Sequence, residues 1–382
     1  MRRHITTRDD YMENDGKTAP VKTGRVTSID ALRGFDMFWI KGGEDLVHSL
    51  HALLPISITA ALEHQFTHVE WAGFHFYDLI FPLFLFLVGV VLPFSMGRHI
   101  EQGGGKMQLY WRAFRRLLLL FFLGLVYNGI FQKSLHDLRI PGVLQRIAIC
   151  YFIAAIVVIN FKVRGQAIVA GSLLLIYWAA IALIPVPGVG AGVITPAGNL
   201  TGYVDRLVVP HPFCCYTFGD NEGLLSTIPA VATALLGALA GWWLRSGREP
   251  VKKAIGLALA GVGCLAVGSI WSIWFPIIKN IWSSSFVLFA GGWSLLFLAL
   301  FYWIIDVRGY KRWSFFFLVI GANAIVIYVL RGQINLNMVL GWLGYSRDAL
   351  GAGWMAFWRL VEIGVFWTFL WILYRKRWFL RV

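Results

Sequence analysis

Charged side chains are scarce in this chain. Only 14% of its 382 residues are Asp, Glu, Lys or Arg, against about 25% in an average soluble domain. So little charge cannot cover a water-facing surface of this size, which excludes an ordinary soluble globule. Acidic residues are the scarcer kind, 20 against 34 basic ones, for a net charge of +14. Cysteine is rare as well. Cys150, Cys214, Cys215 and Cys264 have neither metal-ligand spacing nor the pattern of a disulfide framework, and Cys214-Cys215 reads as two packed thiols. No internal repeat is visible, so the inverted-repeat signature of many transporters is missing. Gly103-Gly104-Gly105-Lys106 lacks the spacing and the strand-helix unit of a phosphate loop and reads as a flexible turn. The first 24 residues contain no apolar core for a secretory signal, and residues 1–27 read as a disordered cytoplasmic tail.

What is abundant is apolar. Hydrophobic residues make up 58% of the chain, with 29 Phe and 18 Trp. Ten apolar runs approach the ~20 residues that a membrane-spanning helix needs. They fall at 29–48, 75–96, 109–131, 142–160, 166–185, 223–244, 252–275, 283–305, 314–332 and 354–374. Asn335–Gly344 would add a half-span, or an eleventh crossing. The fold class is therefore all-α: a polytopic integral membrane bundle, with residues 28–382 as one domain in a lipid bilayer. With the N-terminus inside, 25 of the 34 basic residues fall on the cytoplasmic side. The positive-inside rule thus favours ten spans with both ends cytoplasmic, as in a bacterial inner membrane. Basic clusters that alternate with apolar runs are topology signals, and they argue against nucleic acid as the partner. Residues 49–74 and 186–222 become long outward loops. Ordered loops of that length over a membrane core tend to be lids or binding elements.

Titratable residues crowd the first of these loops. His48, His51, His64, His68 and His75 lie between residues 48 and 75, beside Glu70 and Asp78 at the start of the second span. Polar groups at the mouth of a membrane helix usually mark a site. A neutral imidazole is well matched to removing a proton near pH 7, and Glu70 or Asp78 could orient the ring of His68. His64 and His68 are four apart, as on one helix face, but no third ligand is fixed and no metal is expected. Asp30 and Arg33 read as a pair or cap at a helix start. Asp36 sits deeper and needs a partner or a role. Arg146 is a fork donor for a phosphate or a carboxylate, with Asp78 or Glu222 as alternative partners. Lys279 stands alone between two spans, where it would snorkel or hold an anion. Asn323 puts an amide inside the ninth span.

Seven strings occur in order. They are Ser28-Ile-Asp-Ala-Leu-Arg-Gly-Phe-Asp-Met37; His68-x-x-Trp71-x-Gly73 with Asp78-Leu-Ile-Phe-Pro82; Arg139-Ile-Pro-Gly-Val-Leu-Gln-Arg146; Glu222-Gly-Leu-Leu-Ser-Thr-Ile; Lys279-Asn280-x-Trp282-Ser283; Asp306-Val-x-Gly309; and Asn323-Ala-Ile325. Together they resemble a bacterial member of the heparan-α-glucosaminide N-acetyltransferase family of transmembrane acyltransferases. The resemblance implies acetyl-CoA as cytoplasmic co-substrate and a glucosamine-type amino sugar as acceptor, with no metal. His68 takes the active-site position, as general base, with Asp78 and Glu70 beside it. Arg33, Asp36, Lys41, Gln145, Arg146, Glu222, Lys279, Asn280 and Asn323 take substrate- or CoA-binding positions. Where lysosomal members carry Asn before Gly-Gly, this chain has Ile40-Lys41 before Gly42-Gly43. The resemblance leaves direct transfer and an acetyl-histidine intermediate open, along with a homodimer. The reading from a different class is an N-acetylglucosamine-type sugar transporter without acyl transfer, which many spans and buried charge also fit.

Overall fold

The computed structural model describes residues 26–134, 136–209, 212–333 and 352–379, leaving aside the side chains of Lys41, Ala352 and residues 330–333. Nearly all ordered elements are helical. A backbone in hydrocarbon must satisfy its own hydrogen bonds, and a helix does so within one segment. Seven described helices are long and apolar enough to cross a membrane: Phe76–Glu101, Val143–Asn160, Val163–Leu183, Thr227–Arg245, Pro250–Trp271, Ser284–Val307 and Gly353–Arg375. The chain is a polytopic helical membrane protein.

The other three runs are helical but interrupted or charged. The first divides into α1 (Thr27–Phe38) and α2 (Glu44–Leu53), joined by a wide π-type turn with a kink at Gly42. α3 (Ser57–Gln65) follows in the outward loop. The turn Phe76–Leu79 leads into α4 (Ile80–Glu101). α5 (Lys106–Tyr127) fits the third run but carries Arg112, Arg115 and Arg116. α6 (Val143–Asn160), α7 (Val163–Leu183), the short α8 (Leu200–Val208), α9 (Thr227–Arg245), α10 (Pro250–Trp271) and α11 (Ser284–Phe301) come next. The ninth run breaks at Asn323 into α12 (Phe315–Ala322) and α13 (Ala324–Gln333). α14 (Ala352–Arg375) is the last described helix. Asn335–Gly344 and residues 1–25 lie outside the described residues.

Small residues draw the central helices together, as expected where lipid supplies no hydrophobic drive between them. α4 packs on α9 through Gly89 and Gly237, and α1 on α12 through Gly34 and Gly321. A Cβ at Gly89 would lie 1.8 Å from the Ala234 carbonyl oxygen. Gly89→Val is accordingly expected to force the helices apart, at a cost of about 1–3 kcal/mol or more. Loss of the monodisperse detergent peak, or a lower melting midpoint, would register it; a midpoint equal to the parent's would refute this packing account.

α1 is fixed from far along the chain. The Thr27 and Ser28 N–H groups donate to the two carboxylate oxygens of Asp306 at 3.1 and 3.0 Å. A distant carboxylate thus caps the helix and meets its positive end. Removing it in Asp306→Ala is expected to cost about 1 kcal/mol, read as a lower melting midpoint with an unchanged elution profile.

Candidate active site

The turn that opens α4 is closed by Asp78. Its Oδ2 accepts the His75 N–H at 3.0 Å. His68 leans on the same carboxylate, with Nδ1 2.8 Å from Asp78 Oδ1. An ionised carboxylate only accepts, so Nδ1 carries the hydrogen and Nε2 keeps its lone pair. Asp78 is buried at 2% exposure, while the His68 side chain is 53% exposed. The pair therefore has a fixed base and a reachable tip. The imidazole rests against the Tyr77 ring, 4.8 Å between centroids, and Tyr77 donates its hydroxyl to Glu44 on α2.

Lys279 completes the cluster from another part of the chain. Its Nζ lies 3.2 Å from Asp78 Oδ1 and 3.3 Å from His68 Nε2. Two loops are laced together to place it there. The Gly73 N–H donates to the Ile277 carbonyl at 2.9 Å, Ala72 bridges Ile278, and Asn280 Nδ2 donates to the Glu70 carbonyl at 3.4 Å. Burial pulls the Lys279 ammonium below its usual pKa range, and the Asp78 carboxylate resists that pull.

This cluster stands in the wall of a cavity of ≈ 250 Å³, which is also lined by Met37, Ile40, Tyr127, Asn221, Glu222 and Tyr328. A second cavity of ≈ 440 Å³ continues from it, and the two share Phe84, Leu144, Ile147, Ala324 and Ile325. The second carries Asp30, Arg33 and Arg116. The lining moves along α4 from Ile80 to Val91, a climb of ~16 Å at 1.5 Å per residue.

The structure sorts the sequence-derived candidates. His68, Asp78, Lys279 and Glu222 share the first cavity, and Arg33 lines the second, 3.4 Å from Asp30. Asn280 serves the loop junction. Glu70 is exposed and gives this junction its backbone carbonyl, so of the two carboxylates it is Asp78 that orients His68. Arg146 pairs with neither Asp78 nor Glu222. It is buried over Trp282, 5.1 Å from the ring, and donates to the Gly223 carbonyl and to Ser226. Arg139 takes the acidic pair instead, at 2.7 and 2.6 Å from the two Asp220 oxygens and also against Glu222. Burial alone would lower its pKa, but the hydrogen bond to Asp220 and the charge of Glu222 hold it above the usual arginine range. Gln145 and Asp36 are buried and line neither cavity; both Asp36 oxygens lack a hydrogen-bond partner. Asn323 marks the helix break and reaches the Trp378 carbonyl at 3.3 Å. The Lys41 side chain lies outside the described residues.

Two further expectations are corrected. His64 and His68 do not share a helix face, because α3 ends at Gln65; His64 packs on His75 at 4.2 Å between centroids. Cys214 and Cys215 are joined in a vicinal disulfide rather than packed as thiols. Tyr77, Arg116 and Asn221 were missed as lining residues. An aromatic next to Asp78 and an amide between Asp220 and Glu222 were the available signals, but each needs the fold to show which way it faces.

Comparison with known proteins adds an independent line. Residues 25–201 match the model of the catalytic region described as "Heparan-alpha-glucosaminide N-acetyltransferase, catalytic". That stretch contains His68, Asp78, Tyr77 and Arg33. The chain belongs to the heparan-alpha-glucosaminide N-acetyltransferase family. It is similar to heparan-alpha-glucosaminide N-acetyltransferase of Mus musculus, 28% identical over 321 residues, covering 69% of this chain and 48% of that protein. For the protein of the same name from Homo sapiens the figures are 26% over 360 residues, 80% and 52%. The chain thus spans about half the length of these curated relatives. The family match ends before Asn221, Glu222 and Lys279, which the fold alone brings to His68.

Proposed function

We propose that this chain is a transmembrane acetyltransferase that moves an acetyl group from acetyl-CoA to the amine of a glucosamine-type sugar, with His68 as general base. The observation that carries this is the His68–Asp78 pair at one cavity, with Arg33 and Arg116 at the next. Taken as one shaft, the two cavities suit a long thioester. The guanidinium end fits a phosphate-bearing nucleotide, the apolar middle a slender arm, and the His68 end the acetyl group. The family and the positive-inside rule both support a cytoplasmic donor and an acceptor on the far face. In this reading α1 with α2, α5, and α12 with α13 join the seven long helices as crossings, giving ten with both ends cytoplasmic, in the inner membrane of a bacterium.

The chemistry follows from the atoms present. The sugar amine loses a proton to His68 Nε2 as its nitrogen attacks the thioester carbonyl. A C–N bond forms and the C–S bond breaks. The imidazolium then returns the proton to the departing thiolate, so amide and free thiol are the products. Asp78 holds the tautomer and stabilises the imidazolium. Lys279, beside Nε2, puts positive charge where the carbonyl oxygen becomes negative. Holding both substrates in one cavity removes much of the entropic barrier.

Asp78→Asn is the sharpest local test. It keeps the shape but removes the acceptor that fixes the proton on Nδ1. Thiol release from acetyl-CoA with glucosamine is expected to fall about 100-fold or more in kcat, with KM for acetyl-CoA unchanged. Unchanged kcat would remove His68 from the base role. Counterflow of labelled sugar in liposomes without any acyl-CoA would favour a transporter instead.

A further inference from the structure

The hairpin of α2 and α3 is turned inside out. Its polar side chains face one another. His48 Nδ1 lies 3.0 Å from Glu63 Oε1, and His51 meets the same carboxylate through Nε2 at 3.3 Å and Thr59 through Nδ1 at 3.0 Å. Its apolar side chains point away: Leu50, Leu53, Leu54, Ile56, Ile58 and Leu62 are 37 to 70% exposed. Ile58 and Leu62 lie one turn apart on the outer face of α3, while Thr59 and Glu63 hold its inner face to α2. In water the opposite arrangement would be favoured, with the apolar faces together. A contiguous exposed apolar patch marks a contact with a partner or a membrane.

The neighbours of the hairpin decide which. α2 continues α1 through the kink at Gly42, so the hairpin hangs from the first apolar run. Beside it stands α14, which is long and apolar enough to cross a membrane. Asp45 pairs with Arg359 at 3.3 Å, and Leu53 adjoins Gly353. Trp354, Phe357 and Leu360 on α14 are half or more exposed. The patch on the hairpin is thus continuous with the outer surface of a spanning helix. Tryptophan at the start of such a helix is typical of the membrane–water boundary.

We infer that the α2–α3 hairpin lies in the outer leaflet rather than in the water above it, and that its partner is phospholipid. Leu54, Ile56, Ile58 and Leu62 sit among the acyl chains just below the headgroups. The cluster of His48, His51, Glu63 and Thr59 then satisfies the hairpin's polar groups from within, as hydrocarbon surroundings demand. The anchor also reaches the site. Gln65, the last residue of α3, accepts the Phe76 N–H at 3.1 Å, and Phe66 is buried against Trp39, Phe76 and Tyr77. His68 follows two residues later, on a segment fixed to the membrane surface. The anchoring holds whatever reaction His68 performs, and its test needs no turnover.

Bimane is attached through Leu54→Cys or Ile58→Cys, in a Cys264→Ala background that leaves the buried Cys150 as the remaining free thiol. Both positions are exposed, so either label leaves the polar side of the hairpin intact. Phe357→Cys on α14 and Glu70→Cys, exposed beyond Phe66, serve as lipid-facing and water-facing references. The labelled proteins are placed in dioleoylphosphatidylcholine vesicles, with and without lipid brominated near the top of its acyl chains. Quenching by the brominated lipid at Leu54 and Ile58 is expected to match that at Phe357 and to exceed that at Glu70 about twofold or more. Quenching at both positions no greater than at Glu70, with Phe357 quenched, overturns the inference. So does an unquenched face on which mild oxidation links two proteins through Ile58→Cys, which would give the patch to a second copy of the chain.

Discussion

His68→Ala is expected to lower kcat for acetyl transfer to glucosamine by about 10²- to 10⁴-fold, the usual contribution of a positioned general base. That corresponds to ~3–5 kcal/mol of barrier. The side chain is half exposed and touches Asp78, Lys279 and the Tyr77 ring. Its removal therefore leaves the helices packed as before, and the melting midpoint is expected to stay near the parent's. KM for acetyl-CoA is expected to hold, because the guanidinium groups that suit the nucleotide lie at the other end of the shaft. Thiol release measured in detergent with both substrates decides it. Release at the parent rate would sink the catalytic assignment. Loss of activity together with loss of the folded peak would instead assign His68 a structural part. A burst of one thiol per protein without sugar present would point to an acetyl-histidine intermediate.

Blocking the shaft is the second large effect. Ile325 sits on α13 where the two cavities meet, half-buried between them. Ile325→Trp adds an indole to a passage already narrowed by Phe84, Leu144 and Ile147. Turnover with acetyl-CoA is expected to fall about 100-fold or more, since the reacting carbonyl no longer reaches near-attack distance of Nε2. The His68 end is untouched by this change. A short donor such as S-acetyl-N-acetylcysteamine, which has no nucleotide and can enter from the His68 side, is expected to keep most of its rate in the variant. Equal losses with both donors would mean that the tryptophan disturbs the site itself. Equal retention would mean that acetyl-CoA does not use the shaft.

Much of this was visible in the residues, and what was hidden was hidden for definite reasons. Apolar length alone marks α4, α6, α7, α9, α10 and α11, because an uninterrupted run of twenty apolar residues has few other uses. It says less about where a run bends. Gly42 and Asn323 divide two runs into half-helices, and composition registers only one glycine and one amide. At the site, the cluster of histidines and carboxylates before α4 is legible because charge is so scarce elsewhere. Which carboxylate meets His68 is not. Glu70 is two residues away and Asp78 ten, yet a turn closed by Asp78 and a loop stitched to Ile277 and Asn280 turn the nearer one outward. The same holds for Arg139 and Arg146: each could reach an acidic partner, and only the packing of Arg146 on Trp282 decides which does. Lys279 is 201 residues from Asp78 in sequence, and its approach is a property of the fold.

The central claim is transfer across the bundle, from a donor at the Arg33 and Arg116 end to an acceptor at the His68 end. It is tested most directly with the purified protein in sealed liposomes, with acetyl-CoA trapped inside and glucosamine supplied only outside. The expected result is N-acetylglucosamine outside and free CoA thiol inside, in equal amounts, and neither with His68→Ala. Product that forms only when both substrates are on the same side of the membrane would contradict it.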